Sequence, residues 1–476
     1  MPMMTGEQYR ASLIDGRKCY IDGELIKDPF EHPLLKAAAT SVSSTYDRFY
    51  DPAPDAFHPM YTIPRSREDM DARIKALGMS DITAGTTAAC MALVEVAPEL
   101  GKLKPEYRER VYEFFEWCKE KDVRCSEAIT DAKGHRKKRP AQQDDPDAYV
   151  RVVSRERDGI VIRGAKLHIT GAPLVHEQVV LPTKSMKPGE EEYAVACSVP
   201  SNAEGRKIVN TTNAPRTEGD LRHFPISGRS NMPEGLLIFD DVFVPNDRVF
   251  LDGEVSHAAS LAHALGLWER SNAVAYSGSS ADRLVGLAAL LAEMNGAADR
   301  TDIRDLLSEM AIFATMCRAG WEAAMANAVT NEDGTLSPAA LYISASKFYN
   351  AELHGKMVDI LHDIAGTLLV EAPTMADYDS EEIGDDIREH LAGDSGWSAA
   401  DRLKLLHYVR DLTADTYGGW IAVTESLAGG GQYAQRLVTL RHFDLNNAKA
   451  LARRAVGIDG DAAGGGDKAP AAVLHG

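Results

Sequence analysis

The chain has 476 residues, of which 44% are hydrophobic and 26% are charged, a composition typical of a globular protein with two or three domains. Its formal net charge of -19 argues against a nucleic-acid partner, because phosphate binding needs a basic surface. The chain contains no apolar run near the roughly 20 residues of a membrane-spanning helix, and its polar N-terminus shows no signal peptide.

The cysteines indicate the compartment. Six are spread along the chain without a Cys-x-x-Cys pair, so we expect reduced thiols in a cytoplasmic protein and no metal site. They stand at positions 19, 90, 118, 125, 197 and 317.

Residues 1–147 are predicted to form a mostly helical N-terminal domain. The turn pair Asp22-Gly23 predicts a small hairpin within residues 16–26, and Ser66 with Asp69 has the pattern of a capping box. Apolar periodicity predicts helices at 7–13, at 32–46, from 66 onward, at 83–96 and at 105–121.

Residues 148–255 are predicted to form a central β-domain. Alternating Val, Ile and Arg residues around Asp158-Gly159 indicate a hairpin, and Asp240-Asp241 is predicted to be a turn. The polar stretch 202–231 is predicted to be a long loop at a substrate entrance. Predicted strands cover 149–154, 160–162, 178–182, 193–199 and 236–239.

Residues 256–458 are predicted to form a C-terminal bundle of long helices, and the glycine-rich segment 459–476 a flexible tail. One helix is predicted from Ser280 to Gly296 and another over 301–329. A third begins with Ser337 as N-cap and runs to residue 363. A fourth begins at Ser398 and ends at Gly418-Gly419.

Two blocks carry a resemblance to a known family. G-A-K-L-H-I-T-G, from Gly164, and D-D-V-F-V-P-N-D-R-V-F, from Asp240, resemble the 4-hydroxyphenylacetate 3-hydroxylase family, which also contains 4-hydroxybutyryl-CoA dehydratase. The resemblance extends from Thr5 to Arg436 and implies an α+β, acyl-CoA dehydrogenase-like fold. It also implies an FAD cofactor and a homotetramer or homodimer. The alternative is a β-sandwich insert without a cofactor.

The resemblance implies three cofactor-binding segments. Ala132 stands where the family has a proline, and Thr367 where it has a second glycine. Two alternatives therefore stay open. Thr130 is then a surface turn residue, and Gly366 is a plain helix C-cap. The implied cofactor-binding residues are Thr130 and Asp131 in A-I-T-D, His168 and Thr170 in K-L-H-I-T-G, and Asp363 and Gly366 in D-I-A-G.

Three glutamates are candidate catalytic residues. Glu425, before a run of three glycines, and Glu234 match glutamates of the dehydratase branch, and Glu127 stands where the hydroxylase branch has a histidine. A carboxylate buried beside a flavin has a raised pKa, which suits proton transfer. The alternative for each is a surface glutamate.

The reactive groups of both branches are replaced. The dehydratase holds an iron–sulfur cluster with three cysteines and a histidine, and only one of those positions keeps a thiol here, so we expect no cluster. The ligand positions are Thr86, Cys90, Trp268 and Ala275. The arginine and tyrosine with which the hydroxylase branch holds a phenol correspond to Ile82 and Thr86.

The first functional hypothesis is therefore a monooxygenase that depends on reduced flavin (FADH2). It would be the oxygenase component of a two-component system, with O2, a separate flavin reductase and a small substrate, an aromatic compound being one candidate. The alternative is a cluster-free acyl-CoA dehydratase, isomerase or dehydrogenase that uses Glu425 or Glu234 as its base. A flavin-binding homologue without turnover is the third.

Overall fold

The structure, a computed structural model, describes residues 3–216, 220–392 and 396–458. The predicted tail, 459–476, lies outside the described residues. The helices are α1 (Gly6–Ser12), α2 (Lys36–Phe49), α3 (Arg67–Met79), α4 (Ala88–Leu103), α5 (Pro105–Lys121), α6 (Ala258–Met294), α7 (Thr301–Ala326), α8 (Ala340–Ala365), α9 (Leu368–Glu371), α10 (Met375–Tyr378), α11 (Gly384–His390), α12 (Ala399–Thr413), α13 (Thr416–Leu427), α14 (Gln432–His442) and α15 (Leu445–Val456). The strands are β1 (Cys19–Ile21), β2 (Glu24–Ile26), β3 (Cys125–Ala128), β4 (Arg151–Arg155), β5 (Gly159–Thr170), β6 (Glu177–Val180), β7 (Val195–Pro200), β8 (Arg206–Thr212), β9 (Pro233–Pro245), β10 (Val249–Asp252), β11 (Val329–Thr330) and β12 (Leu336–Ser337).

Several local predictions for the first 147 residues are confirmed. Ser66 accepts a hydrogen bond from the backbone of Asp69 in a capping box at the start of α3, and α5 has the predicted bounds. The β1–β2 hairpin turns at Asp22 and Gly23, where φ is +51° and +85°. The first part of the predicted helix at 83–96 is instead a 3₁₀ helix, Ile82–Thr87, that leads into α4.

The strands form two sheets that pack face to face. One has the order β2-β1-β8-β9-β5-β4 and the other β10-β7-β6-β3. Val152 and Leu237 of the larger sheet share a buried core with Val180 and Val199 of the smaller one, so the domain is a β-sandwich. Strands from the first 147 residues enter both sheets, which ties the N-terminal helices to the sandwich.

Two predictions in the β-region are wrong. The polar stretch 202–231 contains β8, which pairs in parallel with β1 and antiparallel with β9. Its inward face alternates Arg206, Ile208 and Asn210, and these polar residues hid the period of the strand. Asp240-Asp241 is not a turn between elements, since β9 continues through it with φ +54° at Asp241.

The bundle differs from the prediction at helix ends. α6 begins 22 residues before Ser280 and is about 55 Å long, although Gly296 does follow its end with φ +65°. Ser337 lies in β12 and donates its hydroxyl to Glu95, so it is not the N-cap of α8. α12 ends at Thr413, and Gly418-Gly419 lies inside α13 because Gly418 packs directly on the backbone of Thr413.

The core of the bundle is formed by α6, α7, α8 and α12. A second core joins α4 and α5 to the first half of α6 and to β3. None of the described helices is both long enough and apolar enough to cross a membrane. The long α6 therefore connects the bundle to the region where the N-terminal helices meet the sandwich.

Candidate functional site

Two of the sequence segments chosen as cofactor-binding lie side by side. The backbone N–H of Leu167 donates to the carbonyl of Thr130 at 2.7 Å, and Asp131 forms an isolated bridge with Lys166. The Thr130 hydroxyl and the exposed His168 ring make no hydrogen bond within the described part of the chain. These two groups are thus open to a ligand.

Asp131 has a different environment, because its carboxylate is fully engaged by the chain itself. It forms an ion pair at 2.8 Å with Lys166, and both side chains are 2% exposed. It also accepts hydrogen bonds from the backbone of Val150 at 2.9 Å and from the Thr183 hydroxyl. Asp131 therefore holds the segment that carries Thr130 against β5, and its role toward a cofactor stays a prediction.

Glu234 and Thr170 are paired across two strands. Residue 170 of β5 is opposite residue 234 of β9, and the Thr170 hydroxyl donates to the Glu234 carboxylate at 3.1 and 3.2 Å. The Trp420 indole, from α13, donates to the same carboxylate at 3.3 Å. Burial raises the pKa of Glu234 to about 7 in spite of these two donors.

Glu127, on β3, is close enough to two other glutamates to interact with them electrostatically. Its Oε2 atom is buried and has no hydrogen-bond partner within the described residues. Burial and the negative charges of Glu269 and Glu234 raise the pKa of Glu127 well above its ordinary value. Burial likewise raises the pKa of Glu269, on α6, although the backbone N–H of Gly429 lowers it.

These three residues, Glu127, Glu234 and Glu269, are called the glutamate cluster below. They come from β3 and β9, one in each sheet of the sandwich, and from the long helix α6. Carboxyl groups that repel one another in a desolvated site ionise in coupled steps, and the group retains protons at neutral pH. The cluster can therefore accept or release a proton near pH 7.

Glu425 shares an electrostatic partner, a buried lysine, with the cluster. The Asn350 amide donates to Glu425 Oε2 at 2.8 Å. Lys347, whose side chain is 1% exposed, lies 3.5 Å from the same oxygen and donates to the Glu425 carbonyl at 2.6 Å. The charge of Lys347 also acts on Glu269, so Lys347 interacts electrostatically with both carboxylates.

Asp363 and Gly366 are not brought to this region within one chain. Gly366, with φ +69°, is the C-cap of α8, and Asp363 is exposed in the last turn. Asp363 follows Asn350 by 13 residues, which is about 20 Å along a helix. Their part in cofactor binding stays a prediction.

The open groups fit a flavin ring. An isoalloxazine has hydrogen-bonding nitrogen and oxygen atoms along one edge, and the Thr130 hydroxyl and the His168 ring can pair with such atoms. The unpartnered Oε2 of Glu127 offers a further acceptor or, when protonated, a donor. Residues of these types, together with Thr170 and the carboxyl that it bonds, are what a flavin-dependent site needs.

The residues present do not fit an iron–sulfur cluster at the positions considered. The Thr86 hydroxyl donates to the carbonyls of Thr83 and Cys125 at 2.7 and 2.6 Å. Trp268 is 1% exposed and packs in the same core as Ala275, which leaves Cys90 as the single thiol of the four positions. Iron–sulfur clusters need several thiolate ligands. Cys118 and Cys125 do not replace the missing ones, because their sulfurs and that of Cys90 lie within 4.8 Å of one another, too close together to bind separate irons of a cubane.

The sequence reasoning missed Glu269, Trp420 and Lys347. Glu269 lies in the part of α6 that precedes the predicted helix start, so its orientation could not be inferred. Trp420 follows the glycine pair that was taken as a helix end. Lys347 could have been found from the sequence, because a lysine inside a mostly apolar helix indicates a buried position with a charged or polar partner.

Comparisons with known proteins show which family the chain resembles. Residues 5–251 match the family model described as 4-hydroxyphenylacetate 3-hydroxylase N terminal, and residues 258–457 match the corresponding C terminal model. The chain is 29% identical, over 96% of its own length and 100% of the relative, to the 4-hydroxybutyryl-CoA dehydratase/vinylacetyl-CoA-Delta-isomerase of Clostridium aminobutyricum. It is 27% identical, over 87% and 89%, to the 4-hydroxyphenylacetate 3-monooxygenase oxygenase component of Thermus thermophilus.

Two solved structures resemble the whole chain. The oxygen-tolerant archaeal 4-hydroxybutyryl-CoA dehydratase from N. maritimus has a TM-score of 0.88 at 25% identity, covering 98% of this chain and 97% of that one. The oxygenase component of 4-hydroxyphenylacetate 3-monooxygenase, complexed with FAD, has a TM-score of 0.87 at 25% identity, covering 95% and 98%.

Proposed function

The chain belongs to the 4-hydroxyphenylacetate 3-hydroxylase family, and on this basis we propose that it is the oxygenase component of a two-component, reduced-flavin-dependent monooxygenase. Its substrates are O2 and a small organic molecule, and a separate reductase delivers FADH2. The relatives named as monooxygenase oxygenase components support this assignment. The free thiols of all six cysteines are consistent with the cytoplasmic location that the sequence predicts.

FAD is the cofactor, and Thr130 and His168 are the residues that we propose to bind its ring. Neither side chain has a hydrogen-bond partner among the described residues, and their segments are held together by the Leu167–Thr130 hydrogen bond. The buried ion pair between Asp131 and Lys166 stabilises the contact between these two segments. When bound in its reduced form, the flavin supplies the electrons with which O2 is activated.

The glutamate cluster provides the acid–base chemistry. Glu234, with a pKa of about 7, exchanges one proton at its carboxylate near physiological pH, which is the property of an efficient general acid or base. The buried Oε2 of Glu127 accepts a hydrogen bond from a substrate donor when ionised. Trp420 covers Glu234 from the side of α13 and limits the access of water.

The single observation that carries the proposal is the convergence of the glutamate cluster from both sheets and from α6, in a fold that a structural relative complexed with FAD shares. The test is a comparison of the affinities of the purified protein for FAD and for FADH2 under anaerobic conditions. We expect tighter binding of FADH2, a colourless protein on purification, and O2 consumption on mixing the FADH2 complex with air-saturated buffer. A protein that retains oxidised FAD and consumes no O2 in the reduced state contradicts the proposal.

A second candidate is a cluster-free acyl-CoA isomerase or dehydratase. The observation that favours it is a carboxyl with a pKa of about 7, suited to removing a proton from carbon, in a chain that aligns with the full length of the dehydratase/isomerase relative. This candidate predicts that acyl-CoA bleaches enzyme-bound FAD and that protons on the acyl chain exchange with D2O. Neither effect is expected of the oxygenase.

A further inference from the structure

Three of the six cysteines meet in the core between the N-terminal helices and the sandwich. Cys90 lies on α4, Cys118 on α5, and Cys125 is the first residue of β3. Their Sγ atoms all lie within 4.8 Å of one another, and those of Cys118 and Cys125 are 3.6 Å apart. None of the three residues is more than 1% exposed.

The spacing of the sulfurs suits a single metal ion. With metal–sulfur bonds of about 2.3 Å, three sulfurs in a plane around one ion are about 4.0 Å apart. The three thiols are already close to that arrangement without a change in the backbone. Within the described residues, no histidine, aspartate, glutamate or further cysteine joins the group as a fourth ligand.

A buried positive charge lies beside the thiols. The Arg73 side chain is fully buried and donates to the carbonyls of Met60 and Thr62. It forms no ion pair with a carboxylate among the described residues, and Cys90 is one of the groups with which it interacts electrostatically. A buried cation without an anion is unfavourable, and metal-bound thiolates supply the missing negative charge.

We propose that Cys90, Cys118 and Cys125 form a three-coordinate thiolate site for one Cu(I) ion. Thiolate is a soft ligand that selects Cu(I), whereas a structural zinc site almost always has four ligands. All three sulfurs are enclosed in the apolar core and do not contact bulk water, which disfavours a solvent molecule as a fourth ligand. Each thiol that binds releases its proton to solvent, and no electron is transferred.

This site goes beyond the proposed oxygenase function and does not depend on it. An ion bound there links α4, α5 and β3, and β3 carries Glu127 two residues after Cys125. It therefore stabilises the strand on which part of the glutamate cluster is built. Because the sulfurs are enclosed, the ion has to enter before folding is complete.

The experiment is to produce the full chain in cells grown with added copper, purify it anaerobically, and measure copper and zinc per chain. We expect about one copper per chain in the wild type and three sulfur ligands by X-ray absorption spectroscopy. Cys118→Ser should lose at least about nine-tenths of the copper. The matched control is Cys197→Ser, which removes another fully buried thiol, in the core of the sandwich.

Three outcomes overturn the proposal: wild-type protein without stoichiometric copper, copper retained by Cys118→Ser, or equal loss in the control. Preferential binding of zinc from medium with both metals contradicts the choice of Cu(I). If Cys118→Ser fails to fold, the X-ray absorption spectrum of the wild type still tests the proposal, because it reports the number of sulfur ligands directly. Binding should also raise the unfolding temperature of the wild type relative to protein made in copper-depleted cells.

Discussion

The Thr170 hydroxyl donates a hydrogen bond to the Glu234 carboxylate across the paired strands β5 and β9. This bond and the one from Trp420 favour the ionised carboxylate, whereas burial disfavours it. Burial is the larger effect, since the pKa of Glu234 is about 7 against an ordinary 4.5. Glu234 therefore changes its charge near neutral pH.

This shift predicts a pH-dependent gain in stability for Glu234→Gln. A folded-state pKa above the unfolded value means that the stabilising contribution is complete below about pH 4.5 and is lost as the pH rises through about 7. Glutamine does not ionise, so the variant should gain about 1–3 kcal/mol over the wild type between pH 5 and pH 8. Denaturant unfolding at both pH values measures this difference in the free energy of unfolding.

The control for that measurement is Glu120→Gln, a substitution on the exposed surface of α5. Its difference from the wild type should be the same at pH 5 and pH 8. If the stability difference between Glu234→Gln and the wild type were also the same at pH 5 and pH 8, the Glu234 carboxylate would have to lie in a solvated environment.

Thr170→Ala should shift the titration of Glu234 upward. Removing a donor to the carboxylate destabilises the ionised form, so the limb of the pH–activity profile that Glu234 controls should move to higher pH by up to about one unit. If the same hydroxyl also reaches the flavin, FADH2 binding should weaken by several-fold to about tenfold. Thr170→Ser keeps the hydroxyl and is the matched control.

Identical pH profiles for Thr170→Ala and the wild type would show that the hydrogen bond does not control the protonation of Glu234. Unchanged flavin affinity would show that the end of β5 does not meet the ring.

Local patterns in the sequence predicted much of the scaffold. The hairpin at Asp158-Gly159, the capping box at Ser66 and the bounds of α5 depend on neighbouring residues alone. The start of α6 was missed because residues 258–279 contain serine, glycine and aromatic residues without a capping pattern. Tertiary packing determined this helix, as it often overrides propensity.

The candidate site was predictable only in part. Thr130, His168 and Thr170 were identified from the resemblance, and the pairing of β5 with β9 explains why Glu234 lies beside Thr170. Glu269 comes from α6 and could not be placed without the fold. The convergence of Cys90, Cys118 and Cys125 leaves no spacing pattern, because each thiol belongs to a different element.

The chain should not assemble a four-iron cluster. Trp268 fills one ligand position, and Thr86 uses its hydroxyl for backbone hydrogen bonds. After anaerobic reconstitution with iron and sulfide, analysis should find well below one cluster per chain. About four irons and four sulfides per chain would contradict this expectation and favour the dehydratase chemistry.

We expect a homotetramer, with a homodimer as the alternative. Tyr433, Leu437 and Leu440 lie along one face of α14 and are 72%, 49% and 59% exposed, and α15 has no buried residue among those described. An exposed apolar face of this kind indicates a protein interface. Light scattering at micromolar concentration should give a mass of about four times 51.8 kDa, or twice that mass for the dimer.

Replacing Leu437 and Leu440 together by glutamate should split the assembly. Val370→Glu changes an equally exposed apolar residue, 59% exposed, outside this face and should leave the mass unchanged. A monomeric wild type would refute the expectation.

Glu425→Gln separates catalysis from flavin binding. Glutamine keeps the size of the side chain and can still accept the Asn350 hydrogen bond, but it removes the charge 3.5 Å from Lys347. If Glu425 transfers a proton in turnover, kcat should fall by about a hundredfold or more while the affinity for FADH2 stays within about twofold. Glu352→Gln changes an exposed glutamate on α8 and is the control. Full activity in Glu425→Gln would mean that this carboxylate serves only to neutralise the buried lysine.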